Sequence, residues 1–379
     1  MRLFNPIGGT IAALICVAQL TAVAQESTTP AQRASENLDL VQQAYAERKG
    51  PQAASWRSRI RSQEQDLERS LDWLIQNNQG QDALRFVDSM NFFLIEFGES
   101  QKSRQRFAQV LDMPSASATT ALRAKVLYDA GVLAFRQGDE DASKAFNEQS
   151  LDIGRKLNDK PSIATALIGL SRIALRKHDY ATVRRDAEEA LRIRQEAGDS
   201  TGEMSSVHML AAATRMEGDS ASASKFYELT LGIYGKNGDK SGVAGELMNL
   251  AFVHLHEHDP EWAARLFKES VLIYRDLQSQ EGLAWNISGF AAVCAEKHEA
   301  ARAARLYGAL DTAMSKLGII LDPDDALDLE RYSKMAQEQL GRNDFDAART
   351  EGRQLSVDEA LVFAQSDQSW TFGKSLQSQ

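Results

Sequence analysis

The chain has 379 residues, 43% hydrophobic and 25% charged, the composition of a folded globular protein and not of a disordered one. Its formal charge of −10 argues against a nucleic-acid backbone as main partner, since phosphate binding rests on clustered Lys and Arg. Only 7 prolines, among many Ala, Leu, Glu, Gln and Arg, favour helix over sheet.

The chain opens as a secretory signal over residues 1–24. Arg2 gives a positive start, residues 11–20 a short apolar run, and Ala22-Val23-Ala24 a small-x-small cleavage site before Gln25. The run is too short to span a bilayer, and no other segment is apolar enough for stable membrane insertion. The expected product is exported, to the periplasm or beyond. Cleavage removes Cys16 and leaves Cys294 alone, so no intramolecular disulfide can form. Residues 25–36 are polar, with Ser, Thr and Pro, and read as a disordered leader. Residues 37–112 read as three or four N-terminal helices, with breaks at Gly50-Pro51, around residues 77–80 and at Gly98. Residues 113–117 read as a linker.

From residue 113 to 318 a forty-residue ruler governs the chain. Gly138-Asp139, His178-Asp179, Gly218-Asp219, His258-Asp259 and His298-Glu299 recur at that interval. Asn158-Asp159, Gly198-Asp199, Gly238-Asp239 and the decayed Gln278-Ser279 mark a second turn between them. Two turns per repeat leave two stretches, each long enough for a packed helix and too long for a strand. Small residues hold one column on the first helix (Gly131, Ser171, Ala211, Ala251, Ala291). Twelve residues on, Ser143, Val183, Ala223, Ala263 and Ala303 hold another, small apart from Val183. A helix hairpin needs such pairs where its helices cross closely. Leu127, Leu167, Val207, Leu247 and Ile287 add an apolar column on one helical face.

These columns, with an aromatic four residues further at Tyr227, Phe267 and Tyr307, resemble the tetratricopeptide pattern. The repeat here is about two helical turns longer than that family's usual one. This longer form resembles the helical repeat region of bacterial signal-transduction ATPases and transcriptional activators. Residues 56–73, 303–309 and 351–360 resemble the segments that flank the repeats there. The resemblance implies an all-α fold: a right-handed superhelical solenoid of antiparallel helix hairpins. It does not bring ATPase activity, because the chain has no G-x-x-x-x-G-K-[ST] loop. Residues 319–366 then read as C-terminal capping helices, near 324–340, 344–352 and 356–366, the first with Asp322 as cap and Pro323 at its first position. Residues 367–379 read as a tail.

No catalytic, metal or cofactor constellation emerges. His254, His256 and His258 suggest a metal, but His178, His258 and His298 share the column of Gly138 and Gly218. That places them at a turn, where His tolerates positive φ better than most non-glycines. Cys294 occupies a small buried column with no base to activate it, so an enzyme is not expected. In tetratricopeptide arrays the first helices line a concave groove. Applied here, the groove would present Tyr128, His208 and Met248 in one row, Arg172 and Phe252 in a second, and Phe135 and Arg215 in a third, with Trp285 nearby. Arginines among aromatics suit a carboxylate or phosphate beside apolar surface. The expected role is a scaffold binding a protein or peptide. The alternative is a sensor binding a small molecule in the same groove. Nothing in the sequence decides oligomeric state.

Overall fold

The computed structural model describes residues 28–366 apart from 49, 51, 318–320 and 322, and among these it contains helices and no strand. The signal segment, Asp322 and the tail lie outside the described residues. The chain divides into two compact units. One runs up to Phe93 and includes Gln109–Ser117; the other comprises Leu94–Ala108 and the chain from Ala118 onward.

Before the regular repeats α1 is Pro30–Ala46, α2 Ala53–Ser62, α3 Glu64–Gln76, α4 Gly80–Glu96 and α5 Ser100–Leu111. The leader expected over 25–36 gives way to helix at Pro30. Thr29 and Gln32 form a capping box around a proline at the first helical position, which outweighs the polar composition. The stretch 56–73 is two helices, broken at Gln63, where neither Gly nor Pro marks the break. Leu38, Val41, Ile60, Leu67, Leu71 and Leu74 are buried, and Asn37 Nδ2 donates to Ser70 Oγ at 2.8 Å. The expected linker 113–117 is a packed 3₁₀ turn over Pro114–Ala116. A Cβ on Gly80 would meet Ala116 N at 2.3 Å, so the turn lies directly on that glycine.

The second unit is a solenoid of antiparallel helix hairpins. First helices α6 (Ala121–Arg136), α8 (Lys160–Arg176), α10 (Ser200–Met216), α12 (Lys240–His256) and α14 (Gln280–Glu296) alternate with second helices. These are α7 (Glu140–Leu157), α9 (Tyr180–Ala197), α11 (Ser220–Lys236), α13 (Pro260–Asp276) and α15 (Ala300–Leu317). Each turn is built by two residues. The first is left-handed: φ is +77° at Gly138, +58° at His178, +88° at Gly218, +59° at His258 and +58° at His298. The intermediate turns do the same at Asn158, Gly198, Gly238 and Gln278. The next residue, an aspartate from Asp139 to Asp259, caps the following helix by accepting from the backbone N–H three residues on. His178, His258 and His298 are therefore turn residues. Positive φ at Asn78 and Gly98 shows that the twenty-residue rhythm starts earlier than residue 113. Both small columns are buried throughout. An added methylene or two there would overpack the crossing by about 1–3 kcal/mol.

The closing helices are α16 (Pro323–Leu340), α17 (Arg342–Gly352) and α18 (Val357–Gln365). α17 meets α15 backbone to backbone. A Cβ on Gly308 would lie 1.9 Å from Arg349 O, and one on Gly352 would lie 1.9 Å from Arg305 O. Helix α16 does more than close an end. Its residues Asp324, Asp328, Tyr332 and Ala336, four apart and so on one face, are all buried. That face lies along the row begun by Phe135: Arg215 meets Asp324 and Asp328, and Gln339 Nε2 donates to Ala295 O at 2.9 Å.

Candidate functional site

A cavity of about 390 Å³ opens on the first-helix face of the second unit. Arg172 of α8, Ser205 and His208 of α10, Met248 of α12 and Trp285 of α14 line it, so four successive repeats contribute. Four of the eight expected groove residues thus share one wall. The lining also includes Tyr234 and Tyr274 at the ends of second helices, Asp239 at the cap of α12, Glu246 and Asn249 of α12, and Asp324 and Asp325 of α16.

The other expected residues fall elsewhere. Tyr128 lines a separate, more apolar cavity with Pro161 and Thr165. Phe135 is buried, its ring covered by the Arg176 guanidinium at 3.8 Å. Phe252 is buried edge-on against Phe267, centroids 5.2 Å apart. Arg215, expected to face a ligand, is 1% exposed. Asp324 Oδ2 stands 2.6 Å from its Nη2 and Asp328 Oδ2 3.3 Å from its Nη1. His256 Nε2 is 2.6 Å from Asp328 Oδ1, completing a buried network. The partner of Arg215 is the chain's own helix α16, 109 residues away, which nothing periodic in the sequence signals. Burial opposes the Arg215 charge, yet Tyr227, Asp328 and Asp324 hold its guanidinium above the ordinary arginine value.

The cavity wall carries both signs of charge: carboxylates from Asp239, Glu246, Asp324 and Asp325, and the guanidinium of Arg172. Glu246, 4% exposed, accepts from Asn249 Nδ2 at 3.1 Å and lies 3.5 Å from His208 Nδ1. Behind Ser205, Arg194 of α9 is 8% exposed, its Nη1 donating to Gly202 O, to Ser205 Oγ at 2.5 Å and to Ser206 Oγ at 3.1 Å. Burial lowers its pKa, and the nearby charge of Arg172 lowers it further against the opposing pull of Asp199. Burial also pushes the phenols of Tyr234 and Tyr274 up to about 12, so both are neutral donors at physiological pH.

Arg194, Tyr234 and Tyr274 hold one position in three repeats, and each packs on a glycine eight residues on. A Cβ would approach Arg194 Cδ to 2.9 Å at Gly202, the Tyr234 ring to 2.2 Å at Gly242 and the Tyr274 ring to 2.3 Å at Gly282. That big-on-small pairing at forty-residue spacing is the sequence signal by which the tyrosine walls could have been found. Among the described residues no group of three or more His, Cys, Asp or Glu is placed to hold a metal. Cys294 is buried, which pushes its thiol up to about 12.

The tetratricopeptide-repeat family model matches residues 122–196. No curated protein matches the chain. Among solved structures, a Rap protein complexed with Competence and Sporulation Factor is similar at 14% identity. The match covers 89% of this chain and 90% of that one, with a TM-score of 0.58. The apo form of RapI is similar at 12% identity over 81% of this chain and 97% of that one, with a TM-score of 0.50. With the hairpin geometry these likenesses show the fold, a tetratricopeptide-like solenoid of helix hairpins.

Proposed function

We propose that the chain is an exported, non-enzymatic scaffold whose first-helix face binds a protein or peptide partner. The observation that carries this reading is the convergence of Arg172, His208, Met248 and Trp285, from four successive repeats, on one cavity. A wall assembled from several repeats recognises an extended ligand and is lost when any one repeat is misplaced. The similar Rap structure is a complex, with Competence and Sporulation Factor, which agrees with a binding role for this fold. Export rests on the signal segment of residues 1–24.

A small-molecule sensor is the second reading, favoured by the size of the cavity and by the way α16 walls one side of it. About 390 Å³ lies within the range of small-ligand sites. Residues 25–379 used as bait on an envelope extract separate the two. A scaffold retains a discrete partner that Trp285→Ala and His208→Ala lose and that Leu272→Ala, on an exposed second-helix face, keeps. Retention unaffected by the cavity variants would refute the site. A sensor retains nothing and is stabilised against heat by one class of compound.

A further inference from the structure

Helices α17 and α18 close the end of the solenoid themselves. Helix α17 packs backbone to backbone on α15, Arg349 pairs with Asp311 at 2.7 Å, and Arg302 of α15 donates to Phe363 O of α18 at 2.6 Å. Helix α16 lies instead across the first helices α8, α10, α12 and α14. Of its four buried residues two are carboxylates, Asp324 and Asp328, and the others are Tyr332 and Ala336. Their polar contacts are incompletely matched. Arg215 Nε, Tyr227 Oη and Tyr332 Oη are buried with no hydrogen-bond partner among the described residues, and Asp328 Oδ2 has only its ion pair with Arg215. Unmatched polar groups shut away from water weaken an interface. A helix seated largely through charge, beside repeats that are capped without it, has the chemistry of a docked ligand.

We infer that the partner docks an acidic helix on these first helices, and that α16 is its internal stand-in, displaced when the partner binds. The partner helix carries two carboxylates four residues apart, which share one helical face and reach Arg215 and His256 as Asp324 and Asp328 do. An aromatic one turn further on takes the place of Tyr332, whose ring lies 6.4 Å from that of His256. Tethering keeps α16 at high local concentration, so a partner must out-compete it and binding to the resting chain is weak. The inference rests on the proposal that the first-helix face is the binding face.

A fluorescently labelled peptide with the sequence of residues 323–340 stands in for the partner helix, and its anisotropy is read as residues 25–379 are added. Wild type should bind it weakly. Asp328→Asn, which loosens α16 in the chain, should bind it at least about tenfold more tightly. Arg215→Met in that background should reverse the gain, and so should Asp328→Asn in the peptide. Binding no tighter to the Asp328→Asn chain than to wild type, or a gain that survives Arg215→Met, overturns the inference. Should Asp328→Asn fail to fold, hydrogen exchange of wild type decides. Amides of α16 should then exchange at least about tenfold faster than those of α14, and exchange of both in step overturns the inference. In the envelope capture, a partner that Trp285→Ala loses and that Asp328→Asn retains no better than wild type leaves the cavity as the binding site and removes only the displaceable helix. A partner kept by both Trp285→Ala and His208→Ala refutes the site itself.

Discussion

Replacing Asp328 by alanine tests whether α16 is held on the repeats by charge. Asp328 is 1% exposed and serves two partners, Arg215 Nη1 at 3.3 Å and His256 Nε2 at 2.6 Å. At an effective dielectric of 20, the Arg215 attractions are about 5 kcal/mol to Asp328 and about 6 kcal/mol to Asp324 at its 2.6 Å. Much of that gross attraction is cancelled by desolvation of three buried ions. Deleting one partner removes the attraction and leaves the desolvation in place, so the expected loss is about 3–5 kcal/mol. Urea unfolding followed by circular dichroism reads the loss, and hydrogen exchange locates it at the amides of Pro323–Leu340. In a double-mutant cycle Arg215→Met and Asp328→Ala should couple by more than about 1 kcal/mol. A loss under about 0.5 kcal/mol, the range of an ordinary surface substitution, would refute the idea that this network anchors the helix.

Other expectations are simpler. Hydrogen bonds from Arg104, Thr182 and Ser222 hold Asp139, Asp179 and Asp219 below their ordinary value of 3.8. As pH falls the unfolded chain takes up these protons first. Their contribution is complete above about pH 5 and is lost as pH drops toward the folded values. The urea midpoint should fall between about pH 5 and pH 3, less steeply in Asp219→Asn, and a flat profile would contradict this. Cys294 of the native chain should resist thiol reagents at about pH 8 and label fully in urea; rapid native labelling would show that α14 opens. His298→Gly should stabilise by about 1 kcal/mol, since φ is +58° there, and destabilisation would mean the side chain contributes more than the turn. Gly282→Ala should cost about 1–3 kcal/mol by striking the Tyr274 ring, and Tyr274→Leu in the same chain should recover part of it.

What was legible in the sequence was periodic. The forty-residue ruler located the helices, gave the histidines their left-handed turns and marked the buried small columns, because each repeat meets the same neighbours and so repeats the same constraint. Three kinds of feature escaped it. The start of α1 at Pro30 was written in a local capping box, Thr29 to Gln32, beneath a composition that looks unstructured. The break at Gln63 has no Gly or Pro to mark it. The engagement of Arg215 by Asp324 and Asp328 is a single event across 109 residues, with no second copy to reveal it. Of the expected groove residues, Arg172, His208, Met248 and Trp285 line one cavity, whereas Arg215, expected to face a ligand, meets Asp324 and Asp328 of α16. Arg194 went unnoticed because it sits on a second helix, outside the rows a tetratricopeptide groove suggests.

Photo-crosslinking tests the central claim most directly. A phenylalanine analogue that crosslinks under light, placed at position 285 in the cavity and, as control, at position 272, 57% exposed on α13, would be expressed in the source organism. The account predicts a discrete adduct from position 285 and none from position 272. Adducts at 272 alone, or equally at both, would contradict it, and the partner would then meet the chain through its second helices.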